Sequence, residues 1–515
     1  MSRLHDNSVG IYKGVELYDE PNVDLLDYGS LVMALLAAEG SGKGLLISSN
    51  VNLIIPITID VPITVAFGGK LTKVASGSVL FTKPFEAGLY RVFYDFASGD
   101  VKFGPNVLQR ALPHWWGLEQ TGVAVTNRVA IQSAIDSVYD PIGGTERADV
   151  AINAGFYDID DVPINLRSGV NVFGAGEYKS VLRSAGESND VFLANGALVW
   201  SLSSLEATFT VARTGGSFLH IVGGSDQFAI DKLRIADPYF GITIDNNHMG
   251  NATIRNVRFL TGGSGNAMYT GISYKNCTNI KTSDVSVQYG SHTANYGALY
   301  IDSGVDGLWF ERCGNGATGA VGGGMNGLVL THSLAPASFA PRWIFIDHCG
   351  FEAGDGVTWA AAKVGVLIEK ATDVHITNTY MASGGTGVVV QDVDGLQLKD
   401  NSIFNNGHHG VELNGGTYLD VHGNHVHNNG QRTPNTYFGI VAAANLNGFT
   451  LDSNFVGRAA NYGTETDHEY DIVVATGTSD NYAVTNNRMR GGHAGSLFDG
   501  GSGANKVVQH NIVGI

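Results

Sequence analysis

The feature that most restricts what this chain can fold into is an internal repeat. Leu308-Trp309-Phe310-Glu311-Arg312-Cys313 and Ile344-Phe345-Ile346-Asp347-His348-Cys349 share one pattern and lie 36 residues apart. Both alternate apolar and other residues, so as strands they turn Leu308, Phe310, Ile344 and Ile346 inward and Trp309, Glu311, Phe345 and Asp347 outward. The frame recurs at Thr282–Val285, Ile376–Thr379, Leu398–Asn401, Val421–Asn424, Leu451–Asn454, Val484–Asn487 and Val508–Asn511. A second marker, glycine before a short apolar strand, falls at Gly241, Gly271, Gly297, Gly327, Gly365, Gly387, Gly410 and Gly439, at intervals of 22 to 38 residues. The shortest interval is close to one bare coil of a parallel β-solenoid, and the longer ones add a loop to the same coil. So short a coil cannot cover its own apolar face and must stack on its neighbours.

After the first strand of successive coils comes one position filled by Asn401, Asn424, Asn454, Asn487 and Asn511. Stacked amides hydrogen-bond along the stack and satisfy the turn backbone. With 69 glycines, 12 prolines and 15% charged residues in 515, the composition suits many short strands joined by glycine turns and does not suit disorder or a coiled coil.

Residues 1–110 lie outside this repeat and are expected to form an N-terminal β-rich region, either a domain of its own or the first, irregular coils. Asn50–Ile63 and Val79–Phe103 read as short strands broken by Pro and Gly, and Leu31–Ala38 as a short helix. Residues 111–140 are expected to be a linker and a capping helix. Thr126 or Asn127 would cap a helix whose apolar face is Val129, Ile131, Ala134, Ile135 and Val138, lying across the open first coil. Trp115 and Trp116 are expected to pack in a core. Residues 141–515 would be the solenoid.

The order Trp115-Trp116-Gly117, then Ala130-Ile131-Gln132-x-Ala134-Ile135, Val150-Ala151-Ile152-Asn153-Ala154-Gly155-Phe156-Tyr157 and Val170-Asn171-Val172-Phe173-Gly174-Ala175-Gly176 resembles the opening of pectate-lyase-like β-helix proteins. Within that group it looks most like phage tailspike polysaccharide depolymerases and the bacterial polysaccharide lyases and epimerases related to them. The resemblance spans about residues 105–515 and implies an all-β, right-handed, single-stranded parallel β-helix. It also implies a homotrimer with a polysaccharide substrate, set in a virion tail or outside the cell. The acidic Gly-Asp-Gly-x-x-Asp-Asp-Thr loop usual there is replaced by Gly117-Leu118-Glu119-Gln120-Thr121-Gly122. One such scaffold hosts hydrolases, lyases, epimerases and non-catalytic receptors, so chemistry must come from outward residues.

Stacking sets equivalent residues about 4.8 Å apart. One outward column then reads Thr253, Lys281, Trp309, Phe345, His375, Gln397, and its neighbour reads Arg255, Ser283, Glu311, Asp347, Thr377, Lys399. Glu311 and Asp347 stand side by side next to Trp309 and Phe345. Aromatic faces cover a pyranose and paired acids supply an acid and a nucleophile or base, which favours glycosidic hydrolysis. Mutual repulsion would raise one carboxyl's pKa. Asp302 and Asp355 are further catalytic candidates, with Glu352 a more distant partner, and Arg312 and His375 are candidate substrate contacts. Asp245, Lys275 and Asp302 also read as a column of alternating charge. Against these stands a plain solvated or interface face.

A rival site lies at Asn406-Gly407-His408-His409-Gly410 with Glu412, Arg432 and Tyr437, residue types a uronate lyase or C5-epimerase uses. A non-catalytic adhesin is the third class. No cofactor or metal site is called for, and calcium is left open. Cys277, Cys313 and Cys349 are expected as buried thiols rather than a zinc or disulfide framework. A net charge of −17 argues against nucleic acid as a partner. There is no 18-residue apolar run, and the start Met1-Ser2-Arg3-Leu4-His5-Asp6 has no apolar signal core, so no membrane partner and no export by that route are expected.

Overall fold

The computed structural model describes residues 22–139, 148–261, 268–289, 297–317, 325–333, 338–354, 363–433, 435–458 and 468–514. These fall in two compact units, Met1–Gln109 with His114–Gly117, and Arg110–Pro113 with Leu118–Ile515.

The described part of the first unit is itself a small three-faced parallel solenoid. Leu45–Ile47, Ile63–Val65 and Phe85–Ala87 stack on one face, with Leu45, Ile63 and Phe85 in register. Asn50–Leu53, Lys70–Lys73 and Phe93–Tyr94 form the second face, and Pro56–Ile59, Ser78–Phe81 and Val101–Phe103 the third. The sequence shows strands here but hides the stacking. Strands of two to four residues carry one or two inward side chains, too few for alternation to register. The interior is aromatic: Phe81 stacks on Phe103 at 5.2 Å, Trp115 meets Phe85 at 5.2 Å and Trp116 meets Phe93 at 4.8 Å. Trp115 Nε1 donates to Gly88 O at 3.0 Å, which satisfies its one polar atom. The helix Leu31–Ser41 runs one turn past the predicted Ala38. Ser30 accepts from Met33 N at its start, and Gly42 ends it at φ 69°, a left-handed conformation that favours glycine.

In the second unit the helix Ala124–Val138 packs on the first coil's strands Ala148–Ile152, Gly155–Ile159 and Ile164–Leu166. Ala130, Ile131, Ala134 and Ile135 are fully buried, and each isoleucine contributes roughly 1.5–3 kcal/mol. The expected cap is wrong. The N-cap is Val123, without a side-chain bond, and Asn127 sits inside the helix, buried. Its Oδ1 accepts from Glu119 N and its Nδ2 donates to Asp158 O, both at 3.0 Å. Asn127 therefore ties the helix to the preceding loop and to the solenoid, a tertiary role that a local pattern cannot show.

Beyond the helix each coil contributes a strand to each of three faces, and every strand pairs in parallel with its equivalent one coil on. The first face runs Asp306–Glu311, Arg342–Asp347, Ala371–Thr377, Val393–Lys399, Thr417–His422, Asn447–Asp452 and Asp480–Thr485. Its inward pairs, from Leu308 and Phe310 through Ile344 and Ile346 to Leu451, are buried.

At the corner after this face one residue per coil is left-handed: Arg312, His348, Asn378, Asp400, Gly423, Ser453, Asn486 and His510, with φ from 48° to 67°. The next residue points inward and forms the ladder. Asn401, Asn424, Asn454, Asn487 and Asn511 each accept, at Oδ1, from the preceding asparagine or, for Asn401, from Thr379 N, at 2.9–3.0 Å. Towards the N-terminus the ladder continues in other chemistry, Cys313 N to Cys349 Sγ at 3.4 Å and Cys349 N to Thr379 Oγ1 at 3.2 Å. The three cysteines are buried and unbridged. A second ladder, absent from the sequence reading, links Gly384 N to Asn406, Asn406 to Asn429, and Asn429 N to His468 Nε2.

Candidate functional site

The outward columns have the register the repeat implies: Lys281, Trp309, Phe345, His375 and Gln397 pair in sequence, and so do Ser283, Glu311, Asp347, Thr377 and Lys399. The first column is a stack of rings. Trp309 lies 5.7 Å from Phe345 with an interplanar angle of 7°, and Phe345 lies 4.9 Å from His375 at 24°. Trp309 is 36% exposed, with Phe345 stacked against it.

Two further aromatics, passed over in the sequence, extend the stripe. Trp343 is 51% exposed and left-handed at φ 55°, a position that recurs once per coil at Gly307, Asp373, Gly395, Tyr418, Gly448 and Asn481 just before the alternating run begins. Phe339 is exposed too. Arg342 lies over both rings, at 4.4 Å from Phe339 and 5.3 Å from Trp343, while its guanidinium holds Asp306 at 2.7 Å. A large indole at positive φ is a local signal that sequence alone cannot carry.

The second column holds the carboxylates, and its electrostatics differ from expectation. Arg312 forks onto Asp284 at 2.7 and 2.9 Å and also contacts Glu311. Arg312 therefore serves Glu311 and Asp284, not an open ligand position. Partial burial pushes the Asp347 carboxyl up, but donors from Asn378 Nδ2 (2.9 Å), Thr377 Oγ1 (2.8 Å) and His348 Nδ1 (2.7 Å) outweigh it and hold the group below the usual value. The expected rise from repulsion does not occur at Asp347. Arg312 and His348 are the left-handed corner residues that follow the two acids, and the corner folds each back onto its neighbour. Residues other than Gly, Asn or Asp cost roughly 1–2 kcal/mol there.

Part of this arrangement belongs to the repeat. Four coils on, Asp452 accepts from Thr485 (2.6 Å) and Asn486 (2.8 Å) in the same way and pairs with His422 at 3.1 Å. Its outward neighbours are Thr450 and Ala483, without rings. What sets Asp347 apart is the stripe beside it.

Asp302 is a correction. It is 6% exposed, and its oxygens accept from Ser303 N (2.7 Å), Ser303 Oγ (3.0 Å), Ser333 N (2.9 Å) and Ser333 Oγ. Its carboxylate braces a turn and is spent there, outside the column shared by Asp245 and Lys275, which pair at 3.4 Å. Asp355 lies outside the described residues. Glu352 sits on the second face, around the corner from Asp347.

The histidine-rich coils bring together His408, Tyr437 and Arg432. His408 stacks on Tyr437 at 4.4 Å, with Arg432 Nη1 3.3 Å from its Nε2. Burial and then Arg432 hold His408 below its usual value. His409 is held down to about 4, chiefly by burial, and its Nδ1 accepts from Phe438 N at 3.0 Å.

Residues 364–515 match the family model described as the right handed beta helix region. No curated protein matches the chain. Among solved structures, the A-module of the Azotobacter vinelandii mannuronan C-5 epimerase AlgE6 aligns with a TM-score of 0.53 at 16% identity, over 78% of this chain and 99% of that one. The pre-mature gene product 12 of bacteriophage phi29 aligns with a TM-score of 0.54 at 14% identity, over 78% of this chain and 56% of that one. At such identities the likeness is one of fold, and the fold is a right-handed parallel β-helix.

Proposed function

We propose that this chain acts on a polysaccharide laid along the first face, and that it cleaves glycosidic bonds by hydrolysis at Glu311 and Asp347. The observation that carries the reading is the outward stack of Trp309, Phe345 and His375 directly beside two carboxylates on adjacent coils. The exposed Trp309 at the end of the stack offers an aromatic surface to a sugar ring, and Arg342 with Trp343 and Phe339 extends the platform. Asp347, held ionised, takes the base or nucleophile role. Glu311 donates the proton, which requires Arg312 to turn wholly to Asp284, a partner it already grips twice. Asp355 remains a candidate third carboxylate. The shared fold of an epimerase module and a phage protein is consistent with a homotrimeric virion-tail or extracellular setting.

The test is a panel of capsular, O-antigen and uronate polymers assayed for new reducing ends and for the ultraviolet absorbance of an unsaturated uronate. Hydrolysis raises the first alone. Glu311→Gln and Asp347→Asn should abolish cleavage while still retaining the polymer, and Trp309→Ala should weaken retention. Full activity in both amide variants would overturn the assignment. A second reading rests on the neutral His408 stacked on Tyr437 beside Arg432: a uronate lyase or C5-epimerase site, marked by absorbance at the ultraviolet edge or by altered uronate composition without new ends. Retention with no chemical change in any polymer would leave an adhesin.

A further inference from the structure

Away from the ring stripe, on the third face near the N-terminal end of the solenoid, lies an open cleft of about 420 Å³. That volume falls within the range of about 300–1,000 Å³ typical of small-molecule sites. Its centre is a fixed dyad. Asp190 Oδ1 accepts from Ser217 N at 2.7 Å, and Oδ2 pairs with His220 Nδ1 at 2.9 Å. Both carboxylate oxygens are engaged, His220 Nδ1 faces one of them, and its Nε2 has no second protein partner among the described residues, so in the neutral ring that nitrogen is an acceptor.

The rest of the cleft is hydroxyl-rich with one ring. Thr243 and Ser273 follow His220 in the same outward column on successive coils. Thr243 Oγ1 lies 2.7 Å from Ser217 Oγ, and Phe240 forms an aromatic wall. The opposite wall is braced from behind by Arg213, which is buried and donates to the carbonyls of Gly186 (3.0 Å), Gly215 (3.2 Å) and Asn189. Asn189 is held in turn by Asp161, with its Nδ2 2.9 Å from Asp161 O. The charge of Arg213 is offset by Asp161 and by Asp190, which lines the space, so an anionic ligand meets no surplus positive charge.

We propose that this cleft is a second carbohydrate site, selective for a neutral sugar unit, with His220 accepting a hydrogen bond from a ligand hydroxyl and Phe240 facing the ring. It is independent of the site on the first face. Saturation-transfer NMR on the full chain tests it, with methyl glycosides of glucose, galactose, mannose and N-acetylglucosamine, and with glucuronate and galacturonate as acidic probes. At least one neutral glycoside should receive saturation, the uronates none. The signal should fall at least fivefold in His220→Phe and in Thr243→Val, with unchanged circular dichroism, and should persist in Trp309→Ala. Absence of saturation in every neutral probe, equal saturation of the uronates, survival in both cleft variants, or loss in Trp309→Ala alone would each overturn the proposal. Because Trp309→Ala separates the two faces, this site and the first-face site fail independently.

Discussion

Replacing Asn424 by alanine tests whether the inner amide ladder holds the coils together. Asn424 is fully buried. Its Oδ1 accepts from Asn401 N and Asn401 Nδ2, each at 3.0 Å, and its Nδ2 donates to Leu398 O at 2.8 Å and to Asn454 Oδ1 at 3.0 Å. Truncation removes all four bonds. Asn401 Nδ2 keeps Ile376 O, and Asn454 Oδ1 keeps Asn424 N, but Asn401 N–H loses its acceptor. An orphaned buried donor costs about 2 kcal/mol and each of the other three bonds about 1, which gives about 5 kcal/mol. Asn511, at the half-exposed end, loses the same kinds of partner, Asn487 N, Asn487 Nδ2 and Val484 O, where water can replace them. Its alanine variant should cost about 1 kcal/mol. The difference of about 4 kcal/mol corresponds to nearly a thousandfold in an equilibrium constant. Native-state hydrogen exchange, read by mass spectrometry on peptides covering Leu396–Phe404 and Arg488–Val513, measures both openings. Asn424→Asp should be as damaging as alanine, since it keeps the acceptor but places an unpaired charge beside Leu398 O. Equal costs at positions 424 and 511, or a harmless Asn424→Asp, would refute the reasoning.

Three further outcomes follow from the geometry. The donors Asn378, Thr377 and His348 hold the Asp347 carboxyl below its ordinary value of 3.8, so their contribution is present above that value and is lost as pH falls through the folded value. Thr377→Val with Asn378→Ala should therefore move the acid limb of any Asp347-dependent activity upward in pH. His409 titrates at about 4 in the fold against 6.5 when exposed, so the unfolded chain takes up the proton first. Stability should be full above pH 6.5 and decline towards pH 4, and His409→Asn should flatten that slope in urea titrations run at each pH. Burial pushes the Cys277 and Cys313 thiols up and Cys349 is buried with them. A disulfide reagent at pH 8 should find no fast thiol in the native chain and three after denaturation.

The solenoid was legible because its signals are periodic. Inward pairs such as Leu308 and Phe310, the Cys313 and Cys349 positions and the asparagines all recur once per coil, and register follows from recurrence. In the N-terminal solenoid only the strands and the option of irregular coils were legible, since its strands are too short to alternate. The Asn127 tie, the Asp302 brace and the Asn406–Asn429–His468 ladder each depend on a partner 23 to 39 residues along the chain, and no local spacing announces such a partner. At the candidate site the sequence placed Trp309, Phe345, Glu311 and Asp347 side by side, but it could not show Arg312 and His348 folding back, because their left-handed corner is set by the turn and not by their own residue types. Trp343 is hidden for a related reason: its exposure comes from a left-handed position set by the coil and not by its own residue type.

The asparagines of the inner ladder are separated by 23, 30, 33 and 24 residues, yet every amide-to-amide link is 3.0 Å. Chain length between rungs is thus a free variable, while the geometry of the rungs is not. Evolution or a designer can splice peptide into the outer bends and change what the surface meets without retuning the spindle around which it is wound. A deletion that removes a rung forfeits that freedom for the turns on both sides of it.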